Sequence, residues 1–464
     1  MLTSRRNLVA AGIGMTVASA ASAAVAGSAS AAGARRPQNL KEAGLQATGR
    51  GLHFQSVPGD PDQKRALQEA LDAAARAGVP LLLPAGVIRT GTLNLPSGSV
   101  LVGAAGLTTL ECAAGAAVLM AENAEGLVIR DLVVDGRHSP LGSGEEDGLI
   151  RLSLCRGLTI ENVTVRRSLA NGIVLQGCSG RVAATTVEDV LLAGLRSLDA
   201  KGLQISGCRI ADCGNNGIQI WRNDAGDDGA LVTDCRIERV AANGGGTGEN
   251  GNGISVFRAG GVVVQGNRIT DCAYSAIRGN AASNLTMVGN SCQRLGEVAL
   301  YAEFGFEGAV IANNVIDGAA TGISVTNMDH GGRLAVVEGN VIRNLFRREQ
   351  EPVDVRGDGI TIEADSVVSG NAIDGAPTSG IRIGWGPYLR NVVVSGNMLR
   401  DTGAGIVVSS DDRAGTCLVS GNVIAGARLG AIRAMDHGAL VGPDLAEAGT
   451  ALPPRLAISG NLVA

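Results

Sequence analysis

Aromatic side chains are scarce in this chain of 464 residues: two Trp, three Tyr and five Phe make up 2% of it. A core of any size must therefore be built from Val, Ile, Leu and Ala, which belong to the 45% of hydrophobic residues. Charge of one sign is also missing. A formal net charge of −5 and a pI near 5.6 give no basic footprint for nucleic acid or for an anionic membrane surface. There are four histidines, His53, His138, His330 and His437, and no Cys-x-x-Cys pair, so a zinc or iron–sulfur centre has no ligand set to start from. Beyond residue 31 no apolar run approaches a membrane span, and no stretch keeps a 3.6-residue hydrophobic period through the second half.

Glycine is plentiful, 68 of 464, about twice the ordinary share. Much of it stands in a signal that returns eight times: Gly266-Asn267, Gly289-Asn290, Asn313-Asn314, Gly339-Asn340, Gly370-Asn371, Gly396-Asn397, Gly421-Asn422 and Gly460-Asn461. A second marker, Gly or Ala before an aliphatic residue, falls at 172, 194, 217, 253, 276, 299, 322, 359, 380, 405 and 431, in steps of 22, 23, 36, 23, 23, 23, 37, 21, 25 and 26. A near-fixed period of this size describes units that cannot bury their own apolar faces and must stack on one another. Within the period, Gly217-Ile-Gln-Ile-Trp and Gly359-Ile-Thr-Ile-Glu alternate with period two. The expected fold is all-β: a single-stranded parallel β-helix over 46–464, roughly a dozen coils, right-handed as parallel crossovers are. The repeated Asn is expected to form a buried ladder at one turn, with Gly supplying the tight backbone before it.

Ahead of the repeats stand other signals. Arg5-Arg6 precedes a short Ala-rich apolar run and Ala29-Ser30-Ala31, which reads as a twin-arginine export signal over 1–31, removed after export. That implies the twin-arginine machinery as a partner, a periplasmic or extracellular location and no permanent membrane anchor. A linker over 32–45 follows. Asp60-Pro61 and Gln63 then open a helix expected over 61–77, ended by Gly78 and suited to cover the first coil.

The order Asp60-Pro61, Ala66-Leu67-Gln68, Ala70-Leu71-Asp72-Ala73-Ala74, Leu83-Pro84-Ala85-Gly86 and then the Gly-Asn coils resembles the pectate-lyase-like right-handed parallel β-helix superfamily. With Arg5-Arg6, the chain also looks like a family of twin-arginine-translocated repeat proteins of unknown function. The superfamily implies polysaccharide chemistry in a groove across the coils, by lyases, epimerases or hydrolases, but it also holds non-catalytic surface proteins. The signature active-site strings of pectate lyases, polygalacturonases and alginate epimerases do not occur in this chain.

The nine cysteines fall in repeat slots. Cys208 and Cys235 take the place of the ladder Asn, and Cys292 that of a repeat Ile, which reads as small buried hydrophobes, a Cys208–Cys235 bridge staying open. Asp227-Asp228 and Asp411-Asp412 are the acidic pairs that a Ca²⁺ ion would use, although such pairs in Gly-containing turns are usually solvated.

Departures from the repeat point to a site. Long insertions at 242–252 and 347–358 enter the marker strand, and others at 222–229, 328–332, 385–388 and 435–454 leave it, so two walls of loops flank one strand face. With the Ile of each coil inward, alternation turns outward Gln219 and Trp221, Ser255 and Phe257, Arg278 and Asn280, Tyr301 and Glu303, Ser324 and Thr326, Thr361 and Glu363, and Arg382. Arg278, Tyr301, Glu303 and Glu363 are the candidate catalytic residues, with Asp329 and His330 as a further base. Gln219, Trp221, Phe257, Asn280, Thr326, Arg382 and Trp385 are the candidate substrate contacts. An Arg–Tyr pair suits neutralisation of a uronate carboxylate and a proton shuttle. Glu303 and Glu363, two coils and roughly 9 to 10 Å apart at the backbone, stand near the upper limit for an inverting acid–base pair. The expected function is action on an extended acidic polysaccharide, by elimination or epimerisation before hydrolysis. The alternative is a non-catalytic protein that binds envelope glycan or scaffolds a partner.

Overall fold

The computed structural model describes residues 45–48, 51–113, 117–140, 146–246, 248–348 and 356–464. The expected signal and most of the linker lie outside the described residues. The repeats fold into a parallel solenoid of about fifteen turns with very little helix. Most coils contribute three strands. Asn171–Gln176, Gly180–Ala183 and Thr186–Val190 form one coil, and each pairs in parallel with its counterpart in the next. The first strands stack into a 15-stranded sheet, whereas the second and third form a continuous 30-stranded one. The coil count exceeds a dozen because strands Leu93–Asn94, Leu119–Glu122 and Gly148–Ser153 add rungs ahead of residue 172.

The inward columns are aliphatic, as the composition requires. Ile218, Ile254, Ile277, Leu300, Ile323, Ile360, Ile381, Ile406 and Ile432 are in register through successive coils and have no solvent exposure. The marker glycine has a packing cause. A Cβ at Gly217 would lie 2.5 Å from Gly253 O and 2.7 Å from Ile237 Cγ2, so third-strand isoleucines press on this backbone. All nine cysteines are buried free thiols, and Cys292 stands between Ile269 and Ile316 in its column, as a small hydrophobe would.

The asparagine ladder forms as expected. The Asn290 backbone N–H and Nδ2 both donate to Asn314 Oδ1, at 2.9 and 3.0 Å, while Nδ2 also donates to Val264 O at 3.0 Å. The same pattern runs from Asn267 to Asn461 and ends at Cys235, whose N–H donates to Asn267 Oδ1. The residue before each ladder Asn is left-handed, φ 68° at Gly266 and 56° at Asn313, which explains why Gly gives way there to Asn.

The helix runs Lys64–Ala77, three residues later than the Asp60-Pro61 signal suggests. Gln63, expected to complete the cap, instead exchanges two hydrogen bonds with the Val57 backbone, while Asp62 Oδ1 accepts from Lys64 N at the helix start and from Gly91 N. Gly78, left-handed at φ 64°, closes the other end. Leu67, Ala70, Leu71 and Ala74 are buried, and the Gln68 amide pairs with both N and O of Asn94, satisfying the open edge of the first rung. At the far end, Ala439–Asp444 folds back antiparallel on Ile432–Asp436, with Asp444 accepting from Ala431 N and Ile432 N. Among the described residues no helix is long and apolar enough to cross a membrane.

Candidate functional site

The predicted residues do share one face. Gln219, Ser255, Arg278, Tyr301, Ser324, Thr361 and Arg382 form one outward column of the 15-stranded sheet, and Trp221, Phe257, Asn280 and Glu303 form the next. Thr326 and Glu363 follow directly on their strands in that second column.

Charge is concentrated at the middle of this face. Arg278 Nε donates to Glu303 Oε1 at 2.6 Å, Asn280 Nδ2 donates to the same oxygen at 3.1 Å, and the Arg278 guanidinium lies 5.2 Å from the Tyr301 ring centroid. Glu297, from the turn leading into the same coil, receives Arg356 Nη2 at 2.7 Å and Arg348 Nη1 at 3.5 Å, both from the 347–358 insertion. Its other oxygen, Oε2, is buried with no hydrogen-bond donor, and the nearest guanidinium nitrogen of Arg278 stands 4.0 Å away. On the opposite wall, Asn216 and Asn252 hold the 242–252 insertion through Glu249 O and Gly248 O. A Cβ on Gly248 would fall 1.2 Å from Arg278 Nη1, so only a glycine lets this loop lie against the guanidinium.

Gly248 and the Arg348 and Arg356 side chains therefore lie against the centre of the strand face, and this corrects the expectation that its outward side chains stand open between flanking loops. Glu303 is 2% exposed, Glu363 4% and Arg382 7%. Burial raises the Glu303 carboxyl above its ordinary range; Arg278 opposes this, Glu297 adds to it and Asn280 opposes it. Burial, then the Glu303 charge, hold the Tyr301 phenol well above its usual value, so at neutral pH it is a proton donor and not a ready base.

The remaining candidates fall into separate groups. Glu363 Oε2 accepts from Met328 N at 2.8 Å, tying it to the short 3₁₀ turn Met328–His330, where Asp329 and the His330 ring are 3.2 Å apart. Glu363 is thus an anchor for that turn. Thr326, Ser324 and Thr361 make a floor of hydroxyls, Thr361 Oγ1 donating to Ser324 Oγ at 2.8 Å. Arg382 pairs with Asp358 at 2.5 Å and stacks over Trp385, which meets His437 edge to face. Trp221 and Phe257 meet edge to face with centroids 5.8 Å apart; Arg196 lies over the Trp221 ring and also donates to Gln219 Oε1. The outward strip thus has aromatic side chains at both ends, paired charges at the centre and hydroxyls between.

Glu297, Arg348, Arg356 and Asp358 were not singled out by alternation, because they lie in turns and insertions. The Asn-Gly-Ile tripeptides at Asn216 and Asn252 were a legible signal for the second asparagine pair that fixes one wall, Asn252 N donating to Asn216 Oδ1; Asn171, in the same slot, is separated from them by Ala193, whose N–H its Oδ1 accepts. The acidic pairs lead elsewhere. Asp411 is held by Arg413, its carboxyl lowered to about 2, and Asp228 is buried beside Arg222 with its carboxyl raised to about 6. Among the described residues no group of three or more His, Cys, Asp or Glu is placed to hold a metal ion.

A family model described as right handed beta helix region matches residues 148–330 and, overlapping, 216–388, together more than half of the chain. Among solved structures, the N-terminal fragment of gene product 12 of bacteriophage phi29 superposes with a TM-score of 0.50 at 17% identity, over 85% of this chain and 68% of that one. A mannuronic acid specific polysaccharide family 6 lyase from human gut microbiota gives 0.45 at 12% identity, over 74% and 82%. The A-module of the mannuronan C-5 epimerase AlgE4 of Azotobacter vinelandii gives 0.34 at 18% identity, over 88% and 94%. At these identities the likeness is one of fold. No curated protein sequence matches the chain.

Proposed function

This chain belongs to the right-handed β-helix family, and from that footing we propose that it is a carbohydrate-active protein which holds an extended acidic polysaccharide along the outer face of its 15-stranded sheet. The reading rests on one observation: Arg278, Tyr301 and Glu303 stand on adjoining coils at the centre of a strip ended by Trp221 and Phe257 on one side and Trp385 on the other. Aromatic faces suit sugar rings, and a run of coils suits a chain of them. Arg278 would neutralise a uronate carboxylate, which acidifies the neighbouring C–H; the His330 ring, beside Asp329 on the turn after Thr326, would take that proton, and Tyr301, a phenol at neutral pH, would give one to the leaving oxygen in elimination or to the opposite face of the carbanion in epimerisation. Elimination or epimerisation fits these groups better than hydrolysis, since Glu303 and Glu363 are each already engaged, by Arg278 and by Met328 N. In this reading the Arg5-Arg6 segment directs export by the twin-arginine route to the periplasm or beyond.

The test is a panel of acidic glycans assayed for unsaturated or epimerised uronate, with Tyr301→Phe as the variant. That change removes the proton donor and leaves the Arg278–Glu303 pair in place. Turnover lowered by about a hundredfold or more supports the chemistry; turnover unchanged in Tyr301→Phe refutes it. One feature favours a second reading, in which the face binds glycan without changing it: Glu303, Asp358 and Glu363 all have partners before any substrate arrives. Saturable binding with no product from any glycan would select it.

A further inference from the structure

The outward columns of the 30-stranded sheet change character along the solenoid. In the third-strand column, Arg209, Arg236 and Arg268 give way, in unbroken register, to Val315, Val341, Met398 and Val423. The second-strand column runs from Arg181 and Gln204 through Leu231, Val263 and Thr286 to Val310, Val336 and Val367. These are not incidental half-covered side chains. Val310, Val315, Val341 and Met398 are 40–43% exposed on neighbouring coils of one continuous sheet.

A single exposed Val needs no explanation, but a contiguous apolar strip over five coils does. With the coil spacing of about 4.8 Å, the strip is roughly 20 Å long. Its seven side chains, 38–43% exposed, present on the order of 450 Å², the size of the largest patch on a typical monomer, which is often functional, and about half of what one partner contributes to a standard interface. The edges carry both signs of charge in pairs: Arg333 with Glu307, Arg343 with Asp317 and Arg400 with Asp374.

We propose that this strip is the interface of a dimer of this chain, formed on the face away from the candidate glycan site. A second copy fits for two reasons. The rim alternates Arg with Asp or Glu, so an identical strip turned about a two-fold axis meets it with opposite charges, whereas a partner of one charge sign would find no net field. The strip itself is a ladder of apolar side chains at the coil repeat, mostly Val with the smaller Ala372 before the longer Met398, and two such ladders interdigitate as packed sheets do. A lipid surface is a poorer match, because the rim carries as many acidic as basic side chains, where headgroup anchoring calls for a basic and aromatic border.

Sedimentation velocity across a concentration series decides it. The wild-type chain is expected to show a reversible monomer–dimer equilibrium. Val341→Glu is expected to weaken the dimer about tenfold or more, while Gln204→Glu, four coils ahead of Val310 in the second-strand column, leaves it unchanged. Val367→Ser, a milder change on the same strip, guards against misfolding of the charged variant and is expected to weaken the dimer less. Circular dichroism must match for all variants. A wild-type chain that stays monomeric at its highest soluble concentration overturns the proposal, with flotation on neutral vesicles marking a lipid surface instead. A dimer that survives both strip variants overturns it too.

Discussion

Asn290→Ala isolates what the ladder contributes. The Asn290 amide makes four hydrogen bonds of 3.0 Å: it donates to Val264 O and Asn314 Oδ1 and accepts from Asn267 N and Asn267 Nδ2. Alanine keeps the Asn290 backbone N–H on Asn314 Oδ1, and Asn267 Nδ2 keeps Val232 O. The Asn267 backbone N–H, however, is left buried without its acceptor, and Val264 O loses a donor. One buried orphan costs about 1 to 3 kcal/mol, and with the other lost bonds the total is expected at about 2 to 4 kcal/mol. Because a stack of coils can open locally, amide hydrogen exchange is the sharper assay, with urea unfolding alongside. Protection at residue 267 should collapse, more than at amides several coils away. Asn461→Ala, at the end of the ladder and only half-buried, should cost less than about 1 kcal/mol. Unchanged exchange at residue 267, or a stability loss below about 0.5 kcal/mol for Asn290→Ala, would refute the reasoning.

Arg278→Ala leaves the buried Glu303 carboxyl with the Asn280 amide but without its bonded counter-charge, so a loss of about 3 to 5 kcal/mol is expected, while Arg278→Met combined with Glu303→Leu should recover most of it; thermal melting of both variants checks this. Asp228, raised to about 6 from 3.8, binds a proton in the folded chain more readily than in the unfolded one. Its contribution to stability is therefore fully present below about pH 4 and is lost as pH rises through about 6. Asp228→Asn should stabilise the protein at pH 7 by on the order of 1 to 3 kcal/mol and flatten the stability–pH curve across that window, read by denaturant unfolding at stepped pH. Gly289, at φ 67°, should accept Asn as the equivalent Asn313 does, whereas Gly289→Val should cost about 1 to 2 kcal/mol in the same unfolding assay.

The fold was legible because its two strongest constraints repeat: the αL-Asn turn and the Gly-aliphatic strand start recur at fixed spacing, and each repeat corroborates the others. The face carrying Arg278, Tyr301 and Glu303 followed from alternation alone. Its burial did not, since that depends on where two insertions settle. Gly248 over Arg278 and Arg356 on Glu297 are contacts between segments 30 and 59 residues apart, with no period to reveal them. The helix start was misplaced for a related reason: Asp60, Pro61 and Gln63 read as a helix opening, but the Val57 backbone claimed the Gln63 side chain, and Asp62 came to hold Lys64 N together with Gly91 N. The apolar strip was visible as Val at equivalent slots, yet alternation marks such positions outward without saying what covers them.

The chain has two tryptophans, Trp221 and Trp385, and both lie on the strip assigned to glycan, at its opposite ends. Their emission therefore reports directly on occupancy of that face. Titration with an extended acidic polysaccharide should change it saturably, and the change should weaken with salt and with Arg278→Met/Glu303→Leu. If no acidic glycan alters the emission of the folded protein, or if neutral and acidic glycans act alike, the assignment of this face is contradicted.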